Sequence, residues 1–271
     1  MSRPYSLAYL TAASLTPPDA VLLAAKLGYD YAGLRILPVA PGGAFAPLIE
    51  DAAMLRGTRT RIRDTGVGVF DVEIVRLGPD FRVETLAAFL ETCGELGAKA
   101  VLVAGDDENE ARLTQSFAAF CDAAAPYGLT ADLEFMPWTK VPDAKTALRI
   151  VEGAGRGNGR VLVDALHFAR SGSTLADIAA IPPARLGYAQ ICDAPGIYPR
   201  TTDALIHTAR EERLPPGEGD IDLRALFAVL PADLPVSVEV PNAVRMRRAG
   251  PEAWARQMLA DSRRVLSDLP S

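Results

Sequence analysis

The sequence predicts a single closed (β/α)8 barrel of the TIM type spanning residues 1–271, and three observations carry that expectation. Eight short β-rich apolar runs alternate with longer Ala/Leu/Arg/Glu segments of helical period, the pattern of repeated βα units around a parallel sheet. Gly28, Gly66, Gly97, Gly128 and Gly153 each follow a helical stretch, where a left-handed residue ends a helix, and each precedes a strand-like run. A length of 271 residues fits one barrel of about 250 residues, and no composition shift or Pro/Ser-rich linker divides the chain.

The first run, Tyr5–Leu10, leads to a helix over Pro17–Leu27, with Thr16 as its cap and Pro17 at the first position, where a missing N–H costs nothing. Tyr31–Leu37 precedes a helix over Pro47–Asp64, Gly68–Val75 one over Val83–Leu96, and Ala100–Ala104 one over Glu108–Tyr127. Leu129–Phe135 is followed by Asp143–Glu152, Val161–Leu166 by Leu175–Ala180, Arg185–Cys192 by Leu223–Leu230, and Pro235–Val240 by Pro251–Leu266. An open doubly wound sheet is the alternative, but no G-x-G-x-x-G follows the first run. The thirty residues Asp193–Asp222 read as irregular, and a connection that long in a compact domain is usually a functional loop, so it is expected to cover the site.

With 49% hydrophobic and 23% charged residues, the composition is that of a globular protein and excludes disordered and disulfide-scaffold classes. A net charge of -6 argues against nucleic acid or an anionic membrane as the main partner, since either selects a basic face. Cys93, Cys121 and Cys192 are widely spaced and form no C-x-x-C pair, which fits a reducing compartment, and a cytoplasmic location is expected. No apolar run approaches the roughly 18 residues of a membrane span. The sequence leaves room for a homo-oligomer without specifying one.

In a barrel enzyme the reacting groups sit at the C-terminal ends of the strands. The fifth run, LTADLEF, ends in Glu134. The sixth, VLVDALHF, reaches Asp164 and then His167; the seventh, LGYAQICD, carries Gln190 and Asp193; the eighth, VSVEVPN, ends in Glu239. Unpaired carboxylates on buried strands are costly, and a divalent cation held by Glu134, Asp164, Gln190 and Glu239 is the economical compensation. Three carboxylates and an amide oxygen favour Mn2+ or Mg2+, with Co2+ or Zn2+ also compatible. Such an ion, bound to an α-hydroxyketone, stabilises the enolate that forms on proton removal, and the same enolate can expel a β-hydroxyl.

Further residues divide between site and scaffold. Arg210 and Arg213 are candidates for a phosphate or carboxylate fork, although Arg210 in TAREER suits solvated charge equally. Asp193 either caps a turn or holds substrate, and Glu218, between Gly217 and Gly219, either turns toward the site or closes the loop. Trp138 is placed to stack on a sugar or ring. Arg35 and Glu73, ending the second and third runs, pair with one another or line the substrate cavity.

The set Glu134, Asp164 with His167, Gln190 with Asp193, and Glu239, together with RLPPGEGDIDL (Arg213–Leu223), resembles the xylose isomerase-like TIM barrel superfamily of sugar phosphate isomerases and epimerases. The stretches VLVDALHFARSG and YAQICDAP are similar to its 3-dehydroshikimate dehydratase branch, where the third metal position is also Gln. The resemblance implies one divalent metal, Glu134 and Glu239 as the acid/base pair, and His167 on a substrate oxygen. It implies a sugar, sugar phosphate or cyclic hydroxyketone acid as substrate, with isomerase or epimerase action first and a dehydratase-type lyase as the alternative. A non-catalytic barrel that binds a sugar acid is the reading outside enzymology. Two histidines cannot supply the trinuclear site of the family's endonuclease branch.

Overall fold

A computed structural model describes residues 3–40, 42–267 and 269. Eight parallel strands close in sequence order, the first pairing with the last: β1 (Tyr5–Leu7), β2 (Tyr31–Arg35), β3 (Gly68–Leu77), β4 (Ala100–Gly105), β5 (Thr130–Glu134), β6 (Gly159–Asp164), β7 (Leu186–Ile191) and β8 (Val236–Val238). The helices are α1 (Pro17–Leu27), α2 (Ala52–Thr65), α3 (Ala87–Glu95), α4 (Glu110–Ala124), α5 (Ala144–Ala154), α6 (Ala165–Arg170), α7 (Leu175–Ala179), α8 (Thr202–Glu211), α9 (Leu223–Ala228), α10 (Ala243–Ala249) and α11 (Pro251–Leu266). No helix among the described residues is long and apolar enough to cross a membrane.

The main core lies between the strands and the helices. Val69, Val72 and Val75 of β3, with Leu133, Val161 and Ile191, face outward onto Phe89, Phe117, Phe120 and Trp254. A smaller cluster of Phe70, Ala100, Leu102, Leu162 and Tyr188 fills the barrel itself, where Tyr188 meets Phe70 edge to face at 5.1 Å. β3 departs from simple alternation. Ala32 and Leu34 pair with Val69 and Val72, while Val101 and Val103 pair with Val72 and Val75, so β3 carries an extra residue against each neighbour. These bulges lead Phe70–Asp71 and Glu73–Ile74 between outward-facing valines.

Four of the five glycines expected to end helices do so at positive φ: Gly28, Gly66, Gly97 and Gly128. Gly153 instead lies inside α5, and Gly155 provides the left-handed cap two residues later. The stretch Asp193–Asp222 is not irregular throughout. Thr201 accepts the backbone N–H of Ala204 and opens α8 within it. A further helix, α6, starts directly at the end of β6 because Asp164 serves as its cap.

Candidate active site

The C-terminal ends of the strands open onto a cavity of about 180 Å3, lined among others by Arg35, Glu73, Glu134, Trp138, His167, Arg210, Arg213 and Glu239. Space of that size holds about six water molecules at ~30 Å3 each, enough for a small metabolite.

Glu134 is the last residue of β5 and Asp164 the last of β6; Gln190 lies in β7, in register with Asp164, and Glu239 follows β8. All four are buried. The Gln190 amide donates to Glu239 Oε1 at 3.0 Å. Buried Arg213 joins the other members: Nη1 donates to Asp164 Oδ2 at 2.5 Å, and Nη2 lies 2.9 Å from Glu239 Oε2. Its Nε donates to the Ala209 carbonyl of α8 at 2.9 Å, which fixes the guanidinium. The helix in the Asp193–Asp222 stretch thus anchors a cation that the residues just after it bring to the strand ends.

Asp164 works in two directions. Its Oδ1 accepts the His167 backbone N–H at 2.8 Å, capping α6. That short helix swings the His167 imidazole back over the site, with Nε2 3.5 Å from Glu134 Oε1. Trp138 meets the imidazole edge to face at 4.9 Å, so its ring holds His167 as well as bounding the cavity.

Burial pushes the Glu134 carboxyl well above its usual range, and the nearby Asp164 and Glu239 push it further. Burial raises Glu239 to about 8, against the pull of Arg213. Asp164 is also buried, but Arg213, His167 and the His167 backbone N–H outweigh that and hold its carboxyl below the ordinary value. Burial lowers His167 to about 4, so the imidazole is neutral at pH 7.

Three buried carboxylates, Glu134, Asp164 and Glu239, thus face the single guanidinium of Arg213. With all of them ionised, two negative charges remain in excess. Gln190 Oε1 and His167 Nδ1 are buried without a hydrogen-bond partner. Glu134, Asp164 and His167 each offer a ligand atom within 4.8 Å of the others. Buried carboxyls disfavoured as anions for want of positive charge, an orphaned amide oxygen and converging oxygen and imidazole donors together fit a divalent cation.

The other expected residues separate. Arg35 and Glu73 both pair, at 2.8 Å, and line the cavity. Arg210 lines it from the last turn of α8. Asp193 does not line the cavity: its carboxylate is spent on the backbone N–H groups of Ala194, Gly217 and Ile221, knitting the loop. Gly219 is required there, because a Cβ would stand 2.4 Å from Asp193 Oδ1. Glu218 points away and pairs with Arg245 of α10 on the surface. Two residues were not anticipated. Arg76 lines the cavity because β3 continues two residues beyond Val75, and Asp71 is buried inside the barrel. An arginine in the run EIVRL was the available signal for the first; the β3 bulges, which no alternation pattern reveals, placed the second.

Several solved structures share this architecture. An IolI protein, described with a binding zinc atom, is 21% identical with a TM-score of 0.82, and the match covers 99% of each chain. A D-allulose 3-epimerase from Methylomonas sp., in complex with D-allulose, is 17% identical with a TM-score of 0.68 over 97% of each chain. A D-psicose 3-epimerase, in the presence of D-fructose, is 16% identical with a TM-score of 0.71 over 97% of this chain and 99% of that one. At these identities the likeness is one of fold. No curated protein matches the chain. A family model described as xylose isomerase-like TIM barrel matches residues 21–264, which take in every strand from β2 to β8. The chain belongs to the xylose isomerase-like TIM barrel family.

Proposed function

We propose that the protein is a divalent-metal-dependent isomerase or epimerase that acts on a sugar-like α-hydroxyketone through an enediolate. One observation carries this reading: the buried acids Glu134, at the end of β5, and Glu239, after β8, border the cavity, with buried Asp164 joined to Glu239 through Arg213 and the orphaned Gln190 oxygen on the amide that donates to Glu239. Glu134, Asp164, Gln190 and Glu239 would hold the ion, Mn2+ or Mg2+ by its oxygen donors. When bound, it polarises the substrate carbonyl and stabilises the enolate charge. Support for a metal also comes from the zinc in the similar IolI structure, and support for the reaction class from the two similar epimerases.

Glu134 and Glu239 approach the cavity from β5 and from the end of β8, so one carboxylate can remove a proton while the other returns one from a different side. Gln190 and Arg213 fix the rotamer of Glu239, each holding one of its oxygens. His167, neutral and packed by Trp138, presents an imidazole to a substrate oxygen. Trp138, Met136 and Leu10 contribute apolar surface to a lining otherwise rich in Arg and Glu. The three unbridged, buried cysteines suit a cytoplasmic enzyme.

The amide at Gln190 favours a second reading, elimination of a β-hydroxyl from the same enolate, as in the dehydratase branch the sequence resembles. In D2O with Mn2+, solvent deuterium should enter the carbon next to the carbonyl of a hydroxyketone substrate. Glu239→Gln should abolish that exchange and lower the bound metal measured by elemental analysis. A wild type that refuses added Mn2+ and exchanges no member of a ketose panel overturns the proposal. Growth of an aromatic ultraviolet band with 3-dehydroshikimate would move the assignment to the dehydratase.

A further inference from the structure

Three guanidiniums, from β2, β3 and α8, reach the same cavity: Arg35, Arg76 and Arg210. Two have carboxylate partners. Arg35 lies 2.8 Å from Glu73, and Arg76 pairs with Asp106. Pairing does not exhaust Arg35, since its buried Nε has no hydrogen-bond acceptor. The Arg210 side chain makes no hydrogen bond and no ion pair among the described residues, although Glu211 beside it also lines the cavity. Partial burial of the guanidinium, then Arg76 and Arg35, disfavour the charged form of Arg210, so like charges crowd one wall. Unused donors on two arginines, held near a third, form an arrangement that a bound oxyanion relieves.

The acids assigned to the reaction, Glu134 and Glu239, approach from β5 and the end of β8, whereas these arginines approach from β2, β3 and α8. We infer that Arg210, Arg35 and Arg76 form an anion subsite, and that the substrate carries a carboxylate or phosphate at the end remote from its reacting hydroxyketone. The inference rests on the proposed reaction only for which end reacts. It makes Arg210 a determinant of substrate class, selecting acidic over neutral sugars. Arg213 has a separate place, because Asp164, Glu239 and the Ala209 carbonyl occupy its donors.

The test is calorimetric titration of the Mn2+-loaded protein with three ligands sharing one hydroxyketone end: fructose, fructose 6-phosphate and fructuronate. At least one anion should bind about tenfold or more tightly than fructose, as charge-assisted hydrogen bonds predict, and added salt should narrow the difference. The better anion identifies the group the subsite takes. Arg210→Gln, on an exposed helix turn, should bring the ratio to within about threefold, and Arg76→Gln should reduce it. No preference for either anion, or a preference that survives both substitutions, overturns the subsite. Deuterium exchange measured on the same samples separates the two ideas, since anion preference without exchange counts against the reaction and leaves the subsite standing.

Discussion

Replacing Arg213 with Met removes the guanidinium that bridges Asp164 and Glu239 while keeping most of the apolar stem. Both partners are buried, and their contacts at 2.5 and 2.9 Å are short enough for full charge-assisted hydrogen bonds. Breaking a buried pair by deleting one partner costs about 3–5 kcal/mol, because an uncompensated charge stays behind. The expected loss for Arg213→Met is therefore about 3–5 kcal/mol at pH 8 in chelator. The sign with pH follows from Asp164. Its folded value is depressed, so the stability it contributes is present above its unfolded value and lost as pH falls through the folded one. The variant lacks that contribution, so its deficit shrinks on acidification as the two carboxyls take up protons. A divalent cation can replace the missing charge, and at about 100 times its Kd it returns about 2.7 kcal/mol. Urea unfolding followed by tryptophan fluorescence, in chelator and in Mn2+, measures both effects. A variant within about 1 kcal/mol of wild type in chelator, with no larger response to Mn2+ than wild type shows, refutes the idea that Arg213 and a metal answer the same buried charge.

Asp71 is pushed well above the usual carboxylate range by burial, then by Glu73, Glu239 and Asp132. A raised acid contributes stability at low pH that is lost as pH rises toward its folded value, so wild type should lose at least about 1 kcal/mol more than Asp71→Asn between pH 5 and 8. Parallel urea midpoints for the two proteins across that range would contradict this. His167→Asn should keep metal content within about twofold of wild type while kcat/KM falls about 100-fold, the scale of a lost proton-transfer or oxygen-binding group. Metal lost in step with activity would make His167 a ligand, in agreement with its convergence on Glu134 and Asp164.

The barrel was legible in sequence wherever period and punctuation agreed. Val161–Leu166 and Arg185–Cys192 read as strands because their apolar residues run nearly unbroken, and the strands found there, Gly159–Asp164 and Leu186–Ile191, are buried on both faces. Period failed where the backbone counts residues differently from the pattern. Two bulges in β3 reset its alternation twice, so the strand seemed to end at Val75, and Arg76 lay outside the expected site. In GAGRG, adjacent glycines gave no way to tell which one ends α5, and φ chose Gly155. TTDALIHTARE does carry a capped helix, but flanking proline and glycine disguised it as loop. Asp193 shows why a site residue is harder to read than a strand. A carboxylate just past a strand can meet a ligand or backbone N–H groups, and only the return of Gly217–Ile221 decided for the backbone.

Asp132, Tyr188 and Ser237 each stand two residues before Glu134, Gln190 and Glu239 and share their inward face. Together with Asp71 and Ser6 they form a buried layer in which Ser6 Oγ, both Asp71 oxygens, Asp132 Oδ1, the Tyr188 hydroxyl and Ser237 Oγ lack hydrogen-bond partners. A barrel selected for stability alone would fill this layer with branched apolar residues. Here the chain instead makes room for the acids. A Cβ on Gly33 would stand 2.8 Å from an Asp71 oxygen, and one on Gly187 would overlap Asp132. The layer is electrostatically coupled to the acids above it, since Asp71 feels Glu239 and Tyr188 feels both Glu134 and Glu239. Positive charge brought to the strand ends would favour the ionised form of these acids, so the polar layer and the proposed cation site support one another.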